Sequence, residues 1–302
     1  MKLKSYTAAP FLAALIYLLT LTAAPLLAGV DTGINGYLLI SGGAQLLTYL
    51  LPVVLYGLLF GISVKRLRLQ PPRAVSIPLL LLLALILVIG TSLLSMSLER
   101  VGLLPPTEDR YSGLGAPNAL LVLVLAVLPA ILEEIVFRGV ILSSFEPCGT
   151  GPAIIGSALL FAFAHMSLEK LPIYFFAGVV LAFAVYASRS LVGGILLHAL
   201  YNLTGLLLGE YLSGIAAHLE SFSLLFILLL FLLFALVLFA LSEGARVYGV
   251  YAEQALDSGY TPAKMSAAQR MKGRVSVYFS MPFLLCVLIF VAVAVFTMQD
   301  IA

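Results

Sequence analysis

Apolar stretches of about 20 residues recur along the whole chain, and this feature constrains the fold more than any other. Each stretch is long enough to form a transmembrane helix, because roughly 20 helical residues cross the ~30 Å hydrocarbon core of a bilayer. Only 10% of the 302 residues are charged, whereas soluble domains have about 25%. The sequence therefore predicts an integral, multi-pass membrane protein of the all-α class, a polytopic transmembrane helix bundle.

Hydropathy along the chain predicts about nine spans, each built from one apolar stretch. The fifth and seventh are short, which predicts that they tilt or lie buried within the bundle. We interpret the start of the chain as a retained first helix, because its apolar run is long for a signal peptide. The predicted spans are Pro10–Ala28, Tyr37–Ile62, Ile77–Leu98, Asn118–Leu142, Pro152–Ala164, Leu171–Ala187, Leu191–Leu208, Phe222–Leu241 and Met281–Phe296.

The basic residues between the spans are distributed unevenly, which predicts the orientation in the membrane. Lysine and arginine accumulate on the cytoplasmic side of membrane proteins. With a cytoplasmic N-terminus, the other face receives only Arg100, Arg110 and Lys170. We therefore expect the N-terminus in the cytoplasm and, in a prokaryote, the chain in the plasma membrane. The cytoplasmic face then receives Lys2, Lys4, Lys65, Arg66, Arg68, Arg73, Arg189, Arg246, Lys264, Arg270, Lys272 and Arg274.

A long polar connection, residues 242–278, precedes the last span. Pro262 interrupts it, and we predict one or two short helices at the cytoplasmic surface. No stripe of interleaved basic and aromatic residues occurs, so a nucleic-acid partner is not expected. The two cysteines, Cys148 and Cys286, are spaced neither as a disulfide framework nor as a metal knuckle.

Two adjacent acidic residues, Glu133 and Glu134, interrupt the apolar fourth span. A charged side chain at the centre of a transmembrane helix costs about 2.5–3.5 kcal/mol on insertion scales, so both need a reason to be there. Glu134 and Arg138 are four residues apart and lie on one helix face, which predicts an ion pair. Glu133 points to a different side of the helix and needs a partner from another helix.

Two of the three histidines also lie in or next to predicted spans. His165 ends the fifth span, near its outer end, and His198 lies in the seventh. His198 and Asn202 are four residues apart, so both project from one helix face. This pair is either a hydrogen-bonding clamp between helices or a pair of donors for an oxyanion. His218, in the predicted outer loop Gly209–Ser221, is interpreted as a solvated residue.

Most catalytic arrangements known for membrane hydrolases are missing from the sequence. It contains no His-Glu-x-x-His motif for a zinc metalloprotease, and its four aspartates all lie outside the predicted spans. What remains is a carboxylate and an imidazole that can activate water, with a second imidazole and an amide as donors. These residues predict a hydrolytic site.

Three motifs on successive spans resemble those of a known family. They are Glu133-Glu134-x-x-x-Arg138, Phe161-x-x-x-His165 and His198-x-x-x-Asn202. In this order they are similar to the CAAX protease and bacteriocin-processing family, also called the Abi or type II CAAX prenyl endopeptidase family. The resemblance covers roughly residues 118–208.

The resemblance implies an intramembrane endopeptidase whose cavity opens to the cytoplasm. Glu133 would be the general base on water with His165 as its partner, and His198 and Asn202 would hold the oxyanion. Glu134 and Arg138 would orient the first helix. Catalysis without a cofactor is the preferred interpretation; the alternative is Zn²⁺ held by Glu133, His165 and His198. The expected partners are a peptide or lipidated-peptide substrate and the lipid bilayer.

Two other functions stay open at this point. A non-enzymatic scaffold or bacteriocin-immunity factor would use the same bundle to bind a peptide partner. A transporter would use the ionisable residues as a relay, although no internal repeat supports this hypothesis. The chain is accordingly divided into the N-terminal helices with their basic loop (1–117), a catalytic core in spans four to seven (118–208) and the C-terminal spans (209–302).

Overall fold

The structure is a computed structural model that describes residues 5–28, 33–62, 64–104, 118–220, 223–253 and 265–299. These residues form helices joined by short connections, and no strand occurs among them, which confirms the predicted all-α class. The longer helices are α1 (Ser5–Ala28), α2 (Ile34–Phe60), α3 (Ile77–Arg100), α4 (Ala119–Cys148), α5 (Thr150–Ala164), α6 (Leu171–Ser188), α7 (Leu191–Glu220), α8 (Ser223–Glu253), α9 (Ala267–Tyr278) and α10 (Met281–Gln299).

Each of the nine predicted spans overlaps one of these helices. Seven of the helices in the described ranges are long and apolar enough to cross a membrane. An eighth crossing results if α9 and α10, which meet at 41°, together form one bent span. Helix α5, at 15 residues, is shorter than a full crossing. The multi-pass bundle is therefore confirmed, and the number of nine crossings stays a prediction.

Some helices extend beyond the predicted spans. Residues 209–220, predicted as an outer loop, continue α7, and residues 242–253, predicted as part of the polar connection, continue α8. Neither stretch contains proline, and helix formation continues past the apolar segment because nothing in the backbone stops it. Residues 254–264 lie outside the described residues, whereas α9 is a short helix of the kind predicted.

Helices α5 and α6 form a tightly packed hairpin beside α4. A Cβ atom at Gly178 of α6 would lie only 2.9 Å from the Cα atom of Ala158 in α5, so glycine is required for this approach. The Ser157 hydroxyl donates to the carbonyl of Phe137 in α4 at 2.7 Å. The Tyr17 hydroxyl of α1 donates to the carbonyl of Leu160. Helix α4 and the hairpin thus form one unit, against which α1 is fastened.

Hydrogen bonds between connections define one end of the bundle, which we call the basic end. There Gln70 Nε2 donates to the carbonyl of Arg189 at 3.0 Å, and Arg274 Nε donates to the carbonyl of Cys148 at 2.9 Å. The basic end thus joins the connection before α3 to the ends of α4 and α6. At the opposite end, the guanidinium of Arg100 lies 4.0 Å from the ring centre of Phe226.

Arg68 and Arg189, which the sequence places in connections between spans, are buried at the basic end. Arg68 pairs with Glu146 through two hydrogen bonds of 2.6 and 2.8 Å, and both side chains are at most 2% exposed. Arg189 is 5% exposed, and its guanidinium lies 4.5 Å from the ring centre of Tyr248. Arg68 is buried because the connection before α3 folds back onto the end of α4, where the Glu146 carboxylate pairs with it.

Candidate active site

Helix α4 carries both acidic residues of the site and is irregular on either side of them. It begins at Asn118, whose side-chain oxygen accepts the backbone N–H of Leu121 at 2.9 Å, as a helix N-cap does. Two π-helical stretches, Leu123–Val127 and Glu134–Leu142, flank the α-helical turns that end in Glu133. Because π-helix is rare and often marks functional sites, this irregularity singles out α4.

The predicted contact between Glu134 and Arg138 is present. The carboxylate Oε1 of Glu134 accepts a hydrogen bond from Arg138 at 2.5 Å, and neither side chain is exposed. Another guanidinium nitrogen of Arg138 donates to the carbonyl of Gly178 at 3.2 Å. The guanidinium carbon lies 4.3 Å from the ring centre of Phe161. The pair therefore ties α4 to both helices of the α5–α6 hairpin.

His198 of α7 lies between the two glutamates. Its Nδ1 is 2.9 Å from Oε1 of Glu134, and its Nε2 is 3.9 Å from Oε2 of Glu133. Because an ionised carboxylate only accepts hydrogen bonds, Nδ1 carries the hydrogen that is donated to Glu134. The second nitrogen then faces Glu133 across a gap that is too long for a direct hydrogen bond. His198 is thus the partner from another helix that Glu133 was predicted to need.

The two adjacent glutamates have different surroundings. The side chain of Glu134 is fully buried, whereas that of Glu133 is 14% exposed and lines a cavity. A Cβ atom at Gly194 of α7 would lie 3.2 Å from the Oε2 atom of Glu134, so this carboxylate is enclosed closely by protein. Only Glu133 is therefore placed to meet a substrate or a water molecule.

His165 is held by its own helix and by α6. It is the C-cap residue of α5, and its Nδ1 donates to the carbonyl of Phe161 at 2.9 Å. Its ring stacks on that of Tyr174, with ring centres 3.8 Å apart and planes 21° apart. The ring of Phe161 lies 4.8 Å from that of His165 and 5.9 Å from that of His198. The ring of Phe161 thus lies beside both imidazoles.

Asn202 combines the two roles that its spacing left open. Its side-chain Nδ2 donates to the carbonyl of Ala126 in α4 at 3.3 Å, which is the interhelical clamp. The residue is only half-buried and also lines the cavity. An amide nitrogen carries two hydrogens, so a clamp to α4 leaves one for a group in the cavity.

One cavity of about 750 Å³ brings the predicted residues together. Glu133, His165, His198 and Asn202 all line it, although the sequence placed His165 at a different depth from Glu133. His165 follows the last residue of α5, Ala164, so the cavity extends along the bundle from Glu133 to the end of this short helix. His218 lies on the C-terminal part of α7, and nothing is described of its side chain.

The alternative zinc site requires three ligands within bonding distance of one ion. Among the described residues, no group of three or more His, Cys, Asp and Glu side chains is arranged to hold a metal. Glu133, His165 and His198 share a cavity, yet they do not form such a group. The present arrangement therefore does not fit a zinc ion on these three residues.

Sequence reasoning missed several residues that complete the site. Tyr174 stacks on His165 but lies in an apolar run with no motif around it. The hydroxyl of Tyr201 in α7 donates to that of Thr91 in α3 at 3.3 Å, and both residues line the cavity. No signal in a single sequence marks these aromatic and hydroxyl groups, because they come from helices outside the three motifs or between motif positions.

Comparison with known proteins agrees with the motifs. The family model described as type II CAAX prenyl endopeptidase Rce1-like matches residues 115–204. No curated protein and no solved structure gives a significant match. The matched segment contains α4, α5, α6 and the first part of α7, and hence every residue of the three motifs. Residues 115–204 of this multi-pass membrane protein therefore match the Rce1-like family, which is a family of proteases.

Proposed function

We propose that the chain is an intramembrane endopeptidase that hydrolyses a peptide bond in a membrane-associated or prenylated peptide. The observation that carries this proposal is the convergence of Glu133, His165, His198 and Asn202 on one cavity. These side chains come from three helices, and the match to a protease family covers all of them. A packing role alone gives no reason for four polar groups to meet at a cavity wall.

Glu133 is the general base in this proposal. It takes a proton from a water molecule in the cavity, and the water oxygen attacks the carbonyl carbon of the scissile peptide bond. His165 orients the same water molecule, since the stack on Tyr174 and the hydrogen bond to Phe161 fix its ring. The proton held by Glu133 then passes to the peptide nitrogen as the C–N bond breaks. Protons are thus conserved without any other co-reactant.

His198 and Asn202 stabilise the negative charge that develops on the carbonyl oxygen. Preorganised donors of this kind act strongly where water is excluded. Asn202 offers the amide hydrogen that its clamp to α4 does not use. His198 acts as a donor through Nε2 in the form of the ring that carries a hydrogen on both nitrogens, and its bond from Nδ1 to Glu134 holds the ring in place.

Glu134 and Arg138 are positioning residues rather than catalytic ones. Both are fully buried, and their ion pair fixes the carboxylate oxygen that orients His198. This division of work gives each of the two adjacent acids one role. We prefer catalysis by Glu133 without a metal, since the residues proposed as zinc ligands do not fit one ion.

The test is cleavage of membrane-anchored peptides by purified protein, with Glu133→Gln as the central variant. Loss of the general base lowers the rate about 10²–10⁴-fold, while the helical CD spectrum stays unchanged. The matched control is Glu243→Gln, because Glu243 forms an ion pair with Arg246 on α8, away from the cavity. Cleavage by Glu133→Gln at the rate of the control would refute the mechanism.

A metal analysis of the same preparation separates the two mechanisms. We expect cleavage to persist in the presence of a chelator and no stoichiometric zinc in the active protein. Loss of cleavage with the chelator, restored by zinc alone, would contradict the preferred mechanism and favour the three-ligand alternative.

A further inference from the structure

The cavity and the basic loops lie at opposite ends of the bundle. The cavity reaches Thr20 and Ala23 in the last turns of α1, Ile34 and Tyr37 in the first turns of α2, and Leu212 beyond the apolar part of α7. All three helix segments belong to the end opposite the basic end. Helices α1 and α3 finish at that opposite end, and α2 and α4 begin there. The cavity therefore extends from Glu133 away from the basic loops.

Toward the basic end, the cavity is closed by protein. The part of α4 that follows Glu133 is buried almost without interruption from Glu134 to Phe145. Its last turn is sealed by the buried ion pair of Arg68 and Glu146. The backbone N–H of Leu191 at the start of α7 also donates to the carbonyl of Arg68 at 2.9 Å. A polypeptide cannot reach Glu133 from this side without breaking these contacts.

The charge asymmetry survives the burial of Arg68 and Arg189. Lys65, Arg73, Arg270 and Lys272 are all exposed at the basic end. In the described residues of the opposite end, the cations are Arg100 and Lys170, beside the acids Glu99 and Glu169. Because lysine and arginine accumulate on the cytoplasmic side, the basic end is the cytoplasmic one.

From these three observations we infer that the cavity is entered from the non-cytoplasmic face of the membrane. The substrate is then a polypeptide segment presented on that face, such as part of an exported or membrane-anchored chain. This inference revises the expected cytoplasmic opening, which cannot be combined with cytoplasmic basic loops in this structure. It specifies the substrate class of the proposed peptidase and rests on that proposed function.

The lining between the catalytic residues and the mouth suits an uncharged stretch of such a chain. The ionisable acidic or imidazole groups among the described lining residues are Glu133, His165 and His198, and no lysine, arginine or aspartate is among them. The remaining wall is mostly apolar, and the hydroxyl and amide side chains distributed along it can bond a peptide backbone. They include Thr20, Ser41, Gln45, Thr91, Tyr201 and Thr204.

The test is labelling of single cysteines by a membrane-impermeant maleimide in spheroplasts that express the full chain. Cys148 and Cys286 are buried and are replaced by serine first. Ile34→Cys and Leu212→Cys report on the mouth, whereas Ala268→Cys, an exposed and uncharged position of α9, reports on the basic end. We expect the mouth cysteines to be labelled in intact spheroplasts and Ala268→Cys to lose labelling unless the membrane is lysed.

Labelling of Ala268→Cys alone in intact spheroplasts would overturn the inference, because the cavity would then face the cytoplasm. Labelling of both ends from outside would overturn it as well, since the two ends would share a face. Two mouth positions are used so that one misfolded variant does not decide the result. Labelling needs no peptidase activity, so its failure is distinguishable from failure of the Glu133→Gln test in detergent.

Discussion

Helix α4 contributes to two buried ion pairs that differ in how completely the partners satisfy each other. Arg68 and Glu146 form two parallel hydrogen bonds of 2.6 and 2.8 Å, one to each carboxylate oxygen. Arg138 and Glu134 share a single bond of 2.5 Å, and the same carboxylate oxygen also meets His198. The first pair closes the basic end, whereas the second holds the carboxylate oxygen that orients His198 in the cavity.

The difference shows how buried charge serves structure in one place and chemistry in another. A bidentate pair uses the carboxylate on both oxygens and leaves little capacity for a third group. In the pair of Glu134 and Arg138 the guanidinium makes only one bond to the carboxylate. The imidazole of His198 is then able to bond to the same oxygen. We therefore expect both pairs to matter for stability and only the pair at the cavity to matter for catalysis.

The largest effect is expected from removing one cation of either pair. Arg138→Met and Arg68→Met each leave a buried carboxylate without its cation, which costs about 3–5 kcal/mol of unfolding free energy. Denaturant unfolding in detergent measures this loss. Arg246→Met is the control, because Arg246 is exposed on α8 and its removal should leave the transition in place. If all three variants unfolded at the same denaturant concentration, burial of the ion pairs would not contribute to the stability of the fold.

Neutralising the acid of each pair should lower the cleavage rate for the pair at the cavity and not for the pair at the basic end. Glu134→Gln deprives His198 of the charge at Nδ1, and loss of such an orienting carboxylate lowers the rate by about 10²-fold or more. Glu146→Gln should destabilise the fold while the rate per folded molecule stays at the wild-type value. Single-turnover cleavage, normalised to folded protein, makes the comparison. A similar loss of rate in both variants would contradict the assigned difference.

The close approach of α5 and α6 supports only the pair at the cavity, through the carbonyl of Gly178. Gly178→Ala adds a Cβ atom 2.9 Å from the backbone of Ala158 and should cost about 1–3 kcal/mol through overpacking. Gly151→Ala is the matched control, since a Cβ there meets nothing within 4 Å. Thermal unfolding of the two variants should differ, and identical transitions would show that the hairpin adjusts freely.

The smallest effect on stability is expected from replacing the aromatic ring beside the pair at the cavity. Phe161→Leu removes the face on which Arg138 lies and should cost about 0.5–2 kcal/mol. Phe226→Leu, which removes the ring beside the exposed Arg100, should cost less because water competes there. A larger loss for Phe226→Leu would indicate that packing, rather than the cation, determines both values.

The helical bundle and the motifs of the candidate site could be read from the sequence because both depend on local patterns. Apolar length marks a span, and helical spacing brings Glu134 to Arg138 without knowledge of the fold. The sequence predicted that Glu133 needs a partner from another helix. It could not identify that partner as His198, because contacts between helices are not visible in a local pattern. The role of Arg68 was missed for a related reason: a loop charge is solvated unless the loop folds back, and sequence does not show that.

The position of the cavity along the membrane normal was also out of reach of the sequence. Depth was inferred from spans assumed to run straight across, whereas the structure brings Glu133 and His165, the C-cap residue of α5, to one cavity. The side on which the cavity opens depends on which helix ends diverge and which are sealed. Neither property follows from the composition of any one segment, so the expected cytoplasmic opening drew only on family resemblance.

The π-helical stretch from Glu134 to Leu142 has a consequence for how the two halves of α4 stay in angular register. A π-turn contains more residues than an α-turn, so it sets the direction in which Glu146 leaves the helix. Deleting a single residue after Leu142 would rotate Glu146 by roughly 100° away from Arg68 without moving Glu134. A change in the residue count of α4 would therefore break the pair of Arg68 and Glu146 even if every side chain of the stretch stayed the same.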